Sequence, residues 1–240
     1  MCSRTMASKP EIPAAPQPIV FDVQRSDLLI RAKFRNHLWS LFHNIPALYS
    51  ALLNRLEEFG VTPNSIRSDL ADSSLGAYNV NFWMMGFRAQ VRIRLEQVEI
   101  DFNGITQTDV DPLERAFVQL SQALSDANSD FALSSYTVEI GLHGQPTGIE
   151  AKEFLASFFR KVPQLPGPYI GSGAVFYFGE EATALIRNVS VDLSGQLIGG
   201  LYVRIFSVFK ESVRPETLRA VVEEQFSAAL LSVGLRTGSS

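Results

Sequence analysis

Histidine and cysteine are the residue types whose spacing would most readily reveal a catalytic or metal site in this chain. His37 and His43 are six positions apart, a spacing that does not place two ligands on one face of a helix. His143 precedes Gly144 at the end of a strand-like run, where it could be a catalytic base or an exposed rim residue. Cys2 is the only cysteine, so no intrachain disulfide and no cysteine-based metal site can form. We therefore predict no metal, no cofactor and no catalytic residue.

The motifs of common nucleophilic and phosphate-binding enzymes are missing as well. No serine lies in a Gly-x-Ser-x-Gly motif, and no glycine-rich loop is followed by Lys-Ser or Lys-Thr. Carboxylates and hydroxyls that come together from distant segments leave no spacing signature, so an enzyme of another type remains an alternative. The sequence favours a protein that is not an enzyme.

Three arginines form the main candidate binding feature. Arg88, Arg92 and Arg94 fall on one face of a strand-like run whose other face is apolar. Arginine binds phosphate and bases stack on aromatic side chains, so such a face could bind single-stranded nucleic acid or an acidic peptide. Alternatively, Glu99 and Asp101 neutralise the arginines across a hairpin, which is the interpretation that we favour.

Two tryptophans and two methionines are candidates for a protein interface. Aromatic residues and methionine are enriched in the cores of interfaces, but they fill the cores of domains equally well. Both interpretations stay open for this group. The four residues are Trp39, Trp83, Met84 and Met85.

The composition is that of an ordinary globular protein. Of 240 residues, 46% are hydrophobic and 19% are charged, which excludes a disordered chain, a collagen and a coiled coil. The net charge of −4 argues against binding of nucleic acid or an anionic membrane by the whole surface. The sequence contains neither an apolar run of about 18 residues nor a secretory signal. We therefore expect a soluble, cytoplasmic protein that does not bind a membrane.

Hydrophobic periodicity predicts the elements of the first half. Residues 1–17 contain three prolines and no periodic apolar pattern, so they should form a disordered tail. Two short strands are expected at 19–23 and 28–32. The region 36–59 has helical spacing that Pro46 divides into a short and a longer helix. Alternating residues over 77–102 predict β-structure, and a helix should follow from Asp111.

The alternation slips by one residue after Leu95, so the chain must bend there. A tight turn at Glu96-Gln97 would place Arg94 opposite Glu99 and Arg92 opposite Asp101. A β-bulge within one long strand is the competing interpretation, because Glu-Gln is poor chemistry for a tight hairpin.

The second half repeats the same order of elements. This similarity makes a tandem duplication a hypothesis, although few residues are identical. The expected elements are a strand over 136–142, a helix over 149–162, strands over 175–178, 184–193 and 201–209, and a helix over 215–233.

These patterns predict an α+β fold, with an antiparallel sheet and helices packed on one face. The expected units are the tail, a first half over 18–128, a second half over 129–236 and a flexible C-terminus over 237–240. The leading functional hypothesis is a non-enzymatic binding or assembly module that self-associates or binds a protein partner within a larger complex. A small-molecule-binding protein or enzyme with a pocket between sheet and helices is the alternative. Nucleic-acid binding through the arginines is the third.

Deleting residues 1–17 should leave the melting temperature nearly unchanged, because this segment has no apolar pattern with which to pack against the core. Thermal unfolding followed by circular dichroism measures the effect. A fall of more than a few degrees in the isolated chain would contradict the prediction, unless the tail docks on a partner chain.

Overall fold

The structure, a computed structural model, describes residues 17–69, 78–159, 172–179, 184–209 and 214–238. Within these ranges a ten-stranded sheet carries five α-helices, so the predicted α+β class is confirmed. The strands are β1 (Ile19–Phe34), β2 (Arg67–Asp69), β3 (Asn79–Met84), β4 (Ala89–Arg94), β5 (Gln97–Phe102), β6 (Leu133–Pro146), β7 (Ala174–Phe178), β8 (Ala184–Leu193), β9 (Leu201–Phe209) and β10 (Leu235–Thr237). The helices are α1 (Trp39–His43), α2 (Ile45–Leu56), α3 (Val110–Ala127), α4 (Ala151–Ala156) and α5 (Leu218–Ser232).

The two longest strands, β1 and β6, lie side by side at the centre of the sheet. They pair antiparallel, from Phe21 opposite Pro146 to Phe34 opposite Leu133. The full strand order is β2-β3-β4-β5-β1-β6-β9-β8-β7, and β10 adds a short parallel pairing to β1. On each side of the centre, the last strand of a series pairs with the first strand of the same half, but the described series has four strands on one side (β2–β5) and three on the other (β7–β9). The tandem duplication stays a hypothesis.

One face of the sheet carries the hydrophobic core, in two clusters. The larger cluster lies beneath α2 and α3, with Leu52 and Leu120 fully buried. The smaller cluster lies beneath α4 and α5, with Leu155 and Leu230 at its centre. Ile140 of β6 packs against both clusters. The central strands therefore join two cores that are covered by different helices.

The expectation of two short strands at 19–23 and 28–32 is wrong, because β1 is a single strand. Its register against β6 shifts between Val23 and Arg25, so one extra residue is accommodated in β1. Before this bulge the odd-numbered residues of β1 face the helices, as Phe21 does. After it the even-numbered residues face the helices, as Ile30 does. The polar segment between the apolar runs is thus part of the sheet, where the Asp27 carboxylate accepts a hydrogen bond from Gly104 N at 2.8 Å.

The β4–β5 hairpin exists, but the predicted register is wrong and so is the bulge alternative. The turn lies at Leu95-Glu96, one residue earlier than expected, so Arg92 pairs with Glu99 rather than with Asp101. The carbonyl oxygen of the second turn residue accepts a hydrogen bond from Phe34 N at 2.8 Å. This contact with the end of β1 holds the turn in its place, and local turn chemistry does not predict it.

The predicted division of the first helical region is confirmed, since α1 and α2 are separate and Pro46 lies in the first turn of α2. Gly60 ends the region with a φ of +83°. Of the helix expected over 149–162, the described part contains only α4 and a turn that follows through 159, and residues 160–162 lie outside the described residues. No described helix is long and apolar enough to cross a membrane.

The ends and edges of the fold include two very short strands. The two three-residue strands β2 and β10 were not expected from the sequence. β10 ends at Thr237, the first residue of the segment expected to be flexible, and Thr237 pairs with Phe21. Residues 1–16 of the predicted tail lie outside the described residues.

Replacing Gly144 by alanine should lower the free energy of unfolding by about 1–3 kcal/mol. A Cβ there would lie 2.3 Å from the backbone oxygen of Asp22 and 2.9 Å from the Phe21 ring, next to the β1 bulge. Gly195→Ala is the matched control, because a Cβ at Gly195 meets no atom within 4 Å. Urea denaturation measures both variants, and equal stability of the two would contradict the prediction.

Candidate functional site

A cleft of about 830 Å³ opens between α3 and α5, above the central strands β1 and β6. It lies between the helices of the two clusters, and neither helix covers the middle of the sheet completely. The floor of the cleft is apolar. Its floor residues are Leu28 and Ile30 of β1 and Val138, Ile140 and Leu142 of β6.

The two helical walls of the cleft differ in how firmly they are packed. Phe117 of α3 is buried in the larger cluster and forms a fixed wall. Val222 and Phe226 of α5 are four positions apart, line the cleft on one helical face and are only partly buried. Partly exposed apolar side chains that face a cavity can lose further surface to water when a ligand binds.

Arg219 of α5 bridges the two helices at the rim of the cleft. Its Nε donates a hydrogen bond to Glu223 at 2.8 Å, and its Nη1 is paired with Asp111 of α3. Glu114 of α3 lies farther away, 3.5 Å from Nη1. The hydrogen bond to Glu223 and the surrounding carboxylates raise the pKa of the Arg219 guanidinium. One cation is thus shared among three carboxylates.

A second ion pair lies at the β1 side of the cleft. Arg25 lines the cleft, and its Nε contacts both carboxylate oxygens of Asp27 at 3.2 Å. Of these charged residues, Arg25, Arg219, Glu114 and Glu223 line the cleft themselves, and Asp27 and Asp111 are partners outside the lining. The Arg25–Asp27 pair is neutral, whereas the Arg219 group joins one guanidinium to three carboxylates and carries a net charge of −2. The acidic part of the rim is therefore the Arg219 group.

Arg88 does not share a surface with the other two arginines of the predicted basic face. Met85, Gly86 and Phe87 all have positive φ angles, and the chain turns there before β4 begins. The Arg88 guanidinium donates two hydrogen bonds of 2.7 Å to the carboxylate of Asp109. Arg88 therefore ties this turn to the segment that begins α3.

Asp109 is a mostly buried carboxylate that depends on this contact. Burial by itself raises the pKa of the Asp109 carboxyl, but hydrogen bonds from Arg88 and Thr106 outweigh it, and the pKa is lowered. The Thr106 backbone and hydroxyl both donate to the same carboxylate oxygen, at 2.7 and 2.6 Å. The carboxylate closes the short 3-10 turn Gln107–Asp109 that precedes α3, and its side chain makes no capping hydrogen bond to α3 itself.

Arg92 and Arg94 lie on the sheet face that is opposite the core. Each places Nη1 at 3.6 Å from the Glu99 carboxylate, and Arg92 also donates to Asn81 at 3.2 Å. Because of the shifted register, Glu99 contacts both arginines. Asp101 pairs with Gln90 in the strand register.

The four interface candidates lie in different environments. Met84 is 1% exposed and belongs to the larger core cluster, so it has no surface for a partner. Met85 packs partly against the same cluster. Trp39 is 40% exposed and stacks on His37 at 6.5 Å between ring centroids, and Trp83 is half-buried. The structure does not bring the four together with the arginines into one site.

His143 lies inside β6 and is only 7% exposed, so the expected position at an exposed rim is wrong. Its Nδ1 is 2.8 Å from Ser194 Oγ, and its ring stacks on Tyr202. Because Ser194 Oγ accepts hydrogen bonds from the backbone N–H groups of Gln196 and Leu197, its own proton points to Nδ1. Burial lowers the pKa of His143. The pair fastens the turn after β8 to the sheet.

The two other histidines lie in and before α1. His43 Nδ1 contacts the carbonyl oxygen of Trp39 at 2.9 Å within the helix. In the parts of the chain that the structure describes, no group of three or more His, Cys, Asp and Glu side chains could hold a metal ion.

No protein-family model and no curated protein matches this chain. The fold and the cleft are therefore the basis for functional inference.

The residues of the cleft carry little sequence signal. Leu113, Phe117, Val222 and Phe226 have the helical spacing of core residues, and nothing in the spacing shows that some remain partly exposed. The only local indication at the rim is the spacing of Arg219 and Glu223, which is also that of an ordinary surface ion pair on a helix.

Arg88→Met should lower the free energy of unfolding by about 1–3 kcal/mol, because it leaves the buried Asp109 carboxylate without its charged partner. Arg94→Met is the matched control on the open sheet face, where an exposed ion pair contributes roughly 0.2–1 kcal/mol. Chemical denaturation measures both variants. Equal effects, or loss of retention on single-stranded nucleic acid in either variant without loss of stability, would contradict the structural role.

Proposed function

We propose that the protein is a non-enzymatic binding protein whose cleft between α3 and α5 holds an apolar small molecule. The observation that carries this proposal is the cleft itself. Its volume of about 830 Å³ falls within the range of about 300–1,000 Å³ that is typical of small-molecule sites. An apolar floor and a polar rim are also typical of such sites, because the floor supplies affinity and the rim fixes orientation.

The energetics of the cleft support this proposal. Ligand binding would remove from water the exposed parts of Leu28, Ile140, Val222 and Phe226 as well as the ligand's own apolar surface. Burial of about 200 Å² of apolar surface in total is worth roughly 5 kcal/mol before the entropic cost of association. A ligand of about eight carbon atoms would therefore bind weakly.

An assembly function is a second candidate, and exposed side chains on β7 favour it. Val175 and Tyr177 lie two positions apart, and thus on one face, of the outermost described strand on that side of the sheet. Their exposed fractions are 52% and 77%. Self-association or a protein partner would cover both side chains, so Tyr177→Ser should abolish any dimer that light scattering detects in the parent chain.

Nucleic-acid binding through the arginines has less support. Arg88 is held by Asp109, and Arg92 and Arg94 share Glu99. Phosphate binding would have to displace these carboxylates, which lowers the expected affinity for phosphate.

Val222→Phe should fill part of the cleft and weaken the binding of octanol by about tenfold, which corresponds to roughly 1.4 kcal/mol. Displacement of the neutral fluorescent probe N-phenyl-1-naphthylamine by octanol measures the affinity. The variant should remain as stable as the parent, because the added atoms occupy an existing cavity.

Leu231→Phe is the matched control for this variant. Leu231 lies on the same helix, is exposed and does not line the cleft, so octanol affinity should not change. If the parent chain binds neither the probe nor octanol, the proposal is wrong. Equal loss of binding in both variants would place the bound molecule elsewhere.

A further inference from the structure

We propose that the ligand of this cleft is a cationic amphiphile, an apolar chain or ring system that bears an ammonium group. The inference rests on the proposed function and adds the charge of the ligand's head group. It follows from the Arg219 group, where three carboxylates surround one guanidinium group at the mouth of an apolar cleft.

The rim arginines are already engaged by carboxylates of the chain. Arg219 contacts Glu223, Asp111 and Glu114, and Arg25 contacts both oxygens of Asp27. An anionic head group that paired with the remaining N–H groups of Arg219 would lie beside these three carboxylates, which would repel it. A cationic head group can join the network without breaking any of its contacts.

Glu114 is the carboxylate best placed to receive the head group. It lines the cleft, and its distance of 3.5 Å from Arg219 exceeds the range of about 2.7–2.9 Å for a strong charge-assisted hydrogen bond. It projects from α3 one residue after Leu113, which belongs to the apolar wall. A ligand whose apolar part lies on the floor of the cleft would thus bring its ammonium group to Glu114.

Charge at the open mouth of the cleft selects among ligands more than it adds affinity. The ion pairs at the rim are partly exposed, so water and salt screen them. The preference for a cation should therefore be several-fold, and it should decrease as the salt concentration rises. The apolar floor should bind all ligands of one chain length to a similar extent.

The experiment compares three ligands of one chain length with the full chain near neutral pH. Octanol, octylammonium and octanoate each compete with N-phenyl-1-naphthylamine, a neutral probe. We expect the affinity order octylammonium, octanol, octanoate, with the difference between the two ions reduced in high salt. Octanol tests the apolar cleft alone, so failure of the proposed function and failure of the charge inference give different results.

Two variants with opposite expected effects test the role of the rim. Glu114→Gln should weaken octylammonium binding by about two- to fivefold and leave octanol unchanged. Arg219→Gln should strengthen octylammonium binding and weaken octanoate binding further, because it removes the cation from the rim. Glu224→Gln is the control, since Glu224 is an exposed carboxylate on α5 that does not line the cleft.

Each outcome decides between the alternatives. Equal binding of all three ligands, or preferred binding of octanoate, overturns the cationic ligand and leaves the apolar cleft standing. Absence of all binding overturns the proposed function and this inference with it. Binding that appears only after residues 1–16 are deleted would assign the cleft to a segment of the chain itself, which also overturns the inference. A preference for octylammonium that is reduced by Glu114→Gln but not by Glu224→Gln supports the inference.

Discussion

The antiparallel pairing of β1 with β6 is the interaction on which the rest of the structure depends. These two strands join the halves of the sheet, and the other described strands extend the sheet outward from them. The bulge after Val23 is essential to this arrangement, because it keeps Phe21 on the same side as Ile30. Gly144 allows the close approach of the strands beside the bulge. Without the bulge, one half of β1 would turn its apolar side chains away from the helices.

The cleft is a consequence of joining two separately covered cores. The helix α3 packs on the larger cluster, whereas α5 packs on the smaller cluster and also reaches the larger one through Val222. The middle of the sheet between them, around Ile140, is covered less completely. Arg219 spans the rim electrostatically, so it restrains the two helices without filling the space between them. An exposed ionic contact of this kind is weak, because water and salt screen it.

Charge is distributed differently on the two faces of the protein. On the open face of the sheet Glu99 is shared between Arg92 and Arg94, so guanidinium groups outnumber carboxylates in this contact. In the Arg219 group at the cleft, three carboxylates share one guanidinium group. Opposite charges on paired strands favour the correct strand register, whereas an imbalance at the mouth of an apolar cavity favours one sign of ligand charge.

The sequence by itself determined the α+β class, most strands and the division of the first helical region at Pro46, because these follow from local periodicity and backbone chemistry. It did not determine the continuity of β1, the turn at Leu95-Glu96 or the short strand β10, because each depends on a partner that is distant in the chain. The site was less predictable still. Phe226 has the spacing of a core residue and Arg219 that of a surface residue, and only the packing of α3 and α5 on the sheet makes both part of one cleft. Periodicity reports which face of an element is apolar, whereas tertiary packing decides whether that face is covered.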